Sequence, residues 1–154
     1  MKRYSGFKIL IVDDNGNNLF ALRALIEKYT DVEVLEATSG QQALDIALAT
    51  PDIDLIILDV QMPEMDGFQT ASMLKIRKRT RDIPIIFLTA AFKSSEFQQK
   101  GYEVGAADYL LKPIDDDQML NKISTYFRLI EKERDLNRRL EEQVNQRTAQ
   151  LRQA

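Results

Sequence analysis

Short, almost wholly apolar runs alternate along this chain with longer segments whose apolar residues recur at helical spacing. The first run, Lys8-Ile-Leu-Ile-Val12, stops at Asp13-Asp14; a weaker one at 32–37, interrupted by Glu33 and Glu36, follows, and then 55–58, 85–88 and 109–111. Runs of this length that are apolar on both faces predict buried strands. Between them, Leu19, Leu22, Ala24, Leu25 and Ile26 predict a helix over 17–29. Ala43, Leu44, Ala47 and Leu48 predict a second, opened by Ser39-Gly40 and closed by Thr50-Pro51. A third begins after Gly67 with Phe68, Ala71, Met73, Leu74 and Ile76, and a fourth spans about 94–103. The last starts near Asp115 and meets no breaker before the end of the chain.

Strand followed by helix, five times over, implies a parallel sheet with helices on both faces, because right-handed crossovers leave little other choice. The expected fold is a flavodoxin-like (βα)5 doubly wound α/β sheet of order 2-1-3-4-5, its last helix extended into a coiled coil. Ligands in such sheets bind beyond the carboxyl ends of the strands, where the strand order reverses. Those ends carry Asp13-Asp14, Asp59, Thr89 and Lys112. Singly each has an ordinary structural use: a helix cap, a turn acid, a cap hydroxyl, a solvated lysine. Their joint placement is what points to a site.

Composition narrows the chemistry. The 154 residues are 44% hydrophobic and 29% charged, with net charge −3, enough for one core plus an extension and no reason to expect nucleic acid as a partner. No stretch approaches the roughly 18 apolar residues of a membrane span, and the first residues lack a signal-peptide pattern, so a cytoplasmic location is expected. Cysteine and histidine are both absent. That removes thiolate and imidazole metal sites, the Ser-His-Asp triad, and any phosphohistidine carried by the chain itself.

Three carboxylates brought together cannot all stay ionised unaided, so a cation enters or one holds a proton. With oxygen ligands only, the natural guest is Mg2+, or Mn2+ in its place. Beside such an ion Asp59 reads as a nucleophile that accepts a phosphoryl group, with Lys112 offsetting charge and the Thr89 hydroxyl donating a hydrogen bond.

The set Val12-Asp-Asp14, Leu58-Asp-Val-Gln-Met-Pro63 with Asp66-Gly67, Leu88-Thr-Ala90 and Tyr109-Leu-Leu-Lys-Pro113 resembles the receiver domain of bacterial two-component response regulators, over roughly residues 6–127. The resemblance implies phosphorylation of Asp59, and Mg2+ held by Asp14, Asp59 and the backbone carbonyl of Gln61, with Asp13 assisting through water. It implies that Lys112 pairs with the acyl phosphate beside a cis peptide to Pro113, and that Thr89 and Tyr109 form a switch pair. It also implies a phosphodonor in trans, a histidine kinase or a histidine phosphotransfer protein. Gly16 departs from what relatives often carry in that loop, without touching the acids.

The tail has its own character. Residues 128–154 hold seven basic and five acidic side chains, net +2, against fourteen and nineteen, net −5, in residues 1–127. Ile123, Ile130, Asn137, Val144 and Leu151 recur at intervals of seven, with Leu140 at a companion position. Taken as position a, they form a coiled-coil seam in which Asn137 favours a parallel in-register homodimer. Leu129 and Leu136 offer a competing register and hence a stutter. The expected division is a receiver over 1–127 and a coiled-coil helix over 128–154, similar to the signalling helix that joins receivers to output domains. The chain is accordingly expected to be the N-terminal part of a longer regulator.

Two other classes stay open. An aspartyl-phosphate phosphatase would need a second acid two residues after its nucleophile, where this chain has Gln61. A scaffold that dimerises without phosphorylation would have no use for the intact acid, threonine and lysine set. The preferred expectation is a switch domain with no further enzymatic activity of its own. The basic run Lys75, Arg77, Lys78, Arg79 and Arg81 is expected to be a solvated helix end.

Overall fold

Apolar side chains on both faces of a strand must be covered twice, and that requirement arranges the molecule. The structure, a computed structural model, describes residues 3–90 and 108–153. Five strands, β1 (Lys8–Val12), β2 (Glu33–Ala37), β3 (Leu55–Asp59), β4 (Ile85–Thr89) and β5 (Asp108–Leu111), pair in parallel in the order β2-β1-β3-β4-β5. The expected sheet and strand order hold. The helix expected over 94–103 lies outside the described residues.

Alternation along the strands sends side chains to two cores. Ile9, Ile11, Leu55 and Ile57 face one way, onto Leu19, Leu22 and Ile26 of α1 (Gly16–Tyr29) and onto the C-terminal helix (Asp116–Gln153). Leu10, Val12, Ile56 and Leu58 face the other, onto α2 (Gly40–Ala49) and α3 (Gly67–Lys75). Each fully buried Ile or Leu contributes about 1.5–3 kcal/mol, so two cores on a five-stranded sheet hold the strand ends to fixed positions.

Local chemistry sets the boundaries. α1 starts one residue before the expected 17, because Asn15 is the cap and its side chain accepts from the amides of Asn17 and Asn18. Ser39 caps α2 by accepting from the Gln42 amide. α3 closes at Lys75, which leaves Ile76 at the cap, 75% exposed and not part of the apolar face expected for it.

The C-terminal helix is 38 residues long, but only its first turns are buried. Met119, Ile123 and Phe127 are fully enclosed, and Leu120, Tyr126 and Ile130 pack partly against them. Phe127 stacks on Phe7 at 4.6 Å, and Tyr4 meets the Phe127 ring edge-on at 4.9 Å. Ile123 therefore does not belong to a coiled-coil seam: the domain's own core consumes its whole surface. Farther on, Leu136, Leu140, Val144 and Leu151 are all more than half exposed.

Replacing Phe127 with Ala is expected to cost about 3–5 kcal/mol, read as a lower urea midpoint at an unchanged denaturant slope. A loss below about 1 kcal/mol would mean that this helix is not part of the core.

Candidate functional site

β1 and β3 run side by side, with Val12 opposite Leu58, so the residues that follow both strands emerge together. Asp13 is anchored by its own amide, which donates to the Ala37 carbonyl at 3.1 Å. Asp59 is the last residue of β3. Asp13 and Asp59 are buried and Asp14 is exposed, and each offers one carboxylate oxygen such that the three lie within 4.8 Å of one another. Lys112, just past β5, brings its Nζ to 3.2 Å from Asp13 Oδ2 and 3.2 Å from Asp59 Oδ1. Its backbone amide donates to the Thr89 carbonyl at 2.9 Å, which joins the β4 and β5 ends. The peptide between Lys112 and Pro113 is cis.

Burial raises the carboxyl of Asp59 above the ordinary carboxylate range, the charge of Asp13 raises it further, and Lys112 offsets part of the rise. Burial lowers the Lys112 ammonium, but its contacts with Asp13 and Asp59 outweigh that and leave it raised. Asp13 accepts from three donors. Its Oδ1 accepts the Asn15 amide at 2.9 Å, and its Oδ2 accepts the Asn18 side-chain amide at 3.2 Å as well as Lys112. Sequence reasoning missed Asn18; the one available signal was its place in the first turn of the helix directly after the acids. Gln61 reaches the site through its amide, which donates to Asp59 Oδ1 at 3.4 Å.

The far wall is α3. Asp66 caps it with a reciprocal box to Gln69, its side chain accepting the Gln69 amide while the Gln69 side chain accepts the Asp66 amide. Gly67 donates from its amide to the Val60 carbonyl at 2.8 Å. A Cβ at Gly67 would lie 2.4 Å from the Asp59 carbonyl oxygen and 2.7 Å from Val60 Cα, so only glycine lets the helix end approach the strand end this closely.

Thr89 is buried at the end of β4, in register with Leu111, one strand over from Asp59. The Tyr109 ring lies 5.5 Å from the Phe87 ring, packed on the α3 side of the sheet. Among the basic residues, Arg77, Lys78, Arg79 and Arg81 are exposed as expected. Lys75 is not a solvated end: its Nζ donates to the carbonyls of Arg81 and Ile83 at 3.0 and 2.9 Å, tying down the turn before β4.

Three clustered oxygen donors, with neither imidazole nor thiolate, are the donor chemistry of a hard divalent cation, and the residues fit Mg2+ or Mn2+. The response regulator receiver domain family model matches residues 9–124. A probable cyclic di-GMP phosphodiesterase of Vibrio cholerae is 37% identical over 126 residues, covering 82% of this chain and 28% of the relative. The structure of the chemotaxis protein CheY4 of Vibrio cholerae is 31% identical with a TM-score of 0.73, covering 78% of this chain and 98% of that one. A sensor histidine kinase receiver domain of Pseudomonas aeruginosa, described with a magnesium ion coordinated in its active-site cleft, is 26% identical with a TM-score of 0.71, covering 79% and 98%. The chain spans half or less of the length of the curated relatives it matches.

Because its carboxyl is raised in the fold, Asp59 contributes stability below its unfolded value and loses it as pH rises through the folded value. Asp59→Asn removes the buried charge. In buffer without divalent cations the variant is expected to melt above wild type at about pH 7, with the gap closing toward about pH 4. Thermal melts across that range check it, and a gap independent of pH would refute burial as the cause.

Proposed function

This chain belongs to the response regulator receiver domain family, and on that premise we propose that Asp59 is its phosphoacceptor. The observation that carries the reading is the contact of one ammonium, Lys112, with two buried carboxylates, Asp13 and Asp59, at 3.2 Å each, beside Asp14. Asp14, Asp59 and the Gln61 carbonyl would hold Mg2+, with Asp13 acting through water, and the bound ion would neutralise charge on the phosphoryl oxygens. A carboxylate oxygen of Asp59 forms the new P–O bond as the P–N bond to a donor imidazole breaks, and the imidazole leaves with the bonding pair and takes up a proton. The chain has no histidine, so that imidazole belongs to a histidine kinase or histidine phosphotransfer protein acting in trans. Lys112 then pairs with the phosphoryl group, and the buried Thr89 hydroxyl turns toward it, with the Tyr109 ring, packed beside Phe87, as its switch partner. The chain itself turns over no substrate; with Gln61 two residues after Asp59, a phosphatase lacks its acid.

The output runs through the C-terminal helix, paired with that of a second copy in parallel. The receiver is taken to end at 127 and the coiled coil to begin at 128; burial of Phe127 in the core supports this. Because Ile123 and Ile130 pack on the chain's own core, the seam near the domain uses the outward stripe of Leu129 and Leu136, continuing through Leu140, Val144 and Leu151. Asn137, the polar a residue of the other register, lines a cleft beside Asp54 and Arg134. No described helix is long and apolar enough to cross a membrane, and we place this part of the chain in the cytoplasm with its phosphodonor, without nucleic-acid contact of its own.

Incubation with acetyl phosphate and Mg2+ is expected to add one phosphoryl mass at Asp59, and none in Asp59→Asn. Equal labelling of the two proteins, by intact-mass spectrometry and peptide mapping, would refute the assignment. Beryllofluoride is expected to change the dimerisation constant of the full chain by at least about fivefold, a coupling near 1 kcal/mol. Sedimentation equilibrium reads it, and an unchanged constant would remove the link between site and tail while leaving the phosphoacceptor intact.

A further inference from the structure

Asp54 stands immediately before β3, the strand that ends in Asp59, and its side chain is buried. An acid in that position demands compensation, and it has two sources. Asp54 Oδ2 accepts the Lys8 backbone amide at 2.8 Å, and Oδ1 accepts Arg134 Nη2 from the C-terminal helix. Arg134 also lays its guanidinium over the Phe7 ring, 5.0 Å from the centroid, and Phe7 in turn stacks on Phe127. The spacing on the helix matters. Ile123, Phe127, Ile130 and Arg134 continue one face, and the face changes from apolar to cationic where it meets the Asp54 carboxylate. Past that point the character changes: Asp135 pairs with Arg138 at 2.6 Å and Arg139 at 3.0 Å on its own helix, and the leucines beyond are exposed.

We propose that the Asp54–Arg134 pair is a joint that sets the direction in which the C-terminal helix leaves the domain. Through Arg134 the helix is one body with the sheet; from Asp135 onward it is a lever. The matched family region covers residues 9–124, so the acid of this joint lies inside it and the arginine in the part of the helix beyond it. Its acid immediately precedes β3 and the proposed phosphoacceptor is the last residue of that strand, so one short strand separates the two. The direction-setting role does not depend on phosphorylation.

The absence of cysteine lets two be introduced without competition. Spin labels on Asp45→Cys in α2 and Gln143→Cys in the tail, diluted with unlabelled chain so that only intrachain distances count, report the lever's direction by pulsed electron resonance. The intact chain is expected to give one narrow distance distribution. Arg134→Gln should broaden or shift it, and the exchanged pair Asp54→Arg with Arg134→Asp should restore part of the narrowing. Because Asp54→Arg can disturb the fold, Asp54→Asn, which keeps an acceptor for the Lys8 amide, serves as a second variant and should broaden the distribution as Arg134→Gln does. Unchanged distributions in both Arg134→Gln and Asp54→Asn, with cooperative melting retained, would overturn the joint. Acetyl phosphate labelling of Asp59 should be the same in Arg134→Gln as in the intact chain, so failure of the joint and failure of the phosphoacceptor reading give different results.

Discussion

Charge balance at the carboxyl ends of β1 and β3 is the constraint on which the rest of the site depends. Two acids are buried next to each other, a third stands beside them, and a single ammonium contacts both buried members. Buried like charges are tolerated only with a partner or a proton, so the position of Lys112 cannot drift. The fold meets that demand with backbone bonds as well as with packing. The amide of Lys112 is held by the Thr89 carbonyl, and that of Asp13 by the Ala37 carbonyl. Thr89 and Lys112 thus share one hydrogen bond, and a movement of the β4 end would be felt by the charge that neutralises the acids.

The architecture was legible because it rests on short, unambiguous patterns. Apolar runs such as Ile9–Val12 and Leu55–Leu58 leave no polar face, which forces burial on both sides and a parallel sheet. The acids, the threonine and the lysine were legible for a related reason, since a buried strand marks the position of whatever follows it. Helix ends were less so. Ile76 fits helical spacing, yet α3 ends at Lys75, whose ammonium bonds two carbonyls of the following turn and makes the basic run only partly a solvated one.

What escaped the sequence is what depends on distances across the chain. Asn18 donates to Asp13, but an asparagine near a helix start reads as a cap or a turn residue. The closeness of Gly67 to the Asp59 carbonyl is a property of how α3 docks on β3, and no local pattern encodes 2.4 Å. The cation that meets the buried Asp54, Arg134, is eighty residues away in a segment expected to form a coiled coil. Periodicity misassigned Ile123 for the converse reason: a stripe at sevens continues smoothly from a domain core into a tail, and only burial separates the two uses.

That separation bears on what sets the direction of the helix beyond the core. If the helix left the domain at Phe127 with nothing further to hold it, small rearrangements near β4 and β5 would be lost as swivelling of the tail. Holding the same face one step farther, at Arg134, makes the helix inherit the orientation of the sheet. A rigid helix rises about 1.5 Å per residue, so the segment from Asp135 to Gln153 carries a small angular change at its base to a displacement of several ångströms at its tip. The exposed apolar side chains on that lever, Leu136, Leu140, Val144 and Leu151, would be carried with it. The buried acid before β3 links the strand that ends in Asp59 to the C-terminal helix.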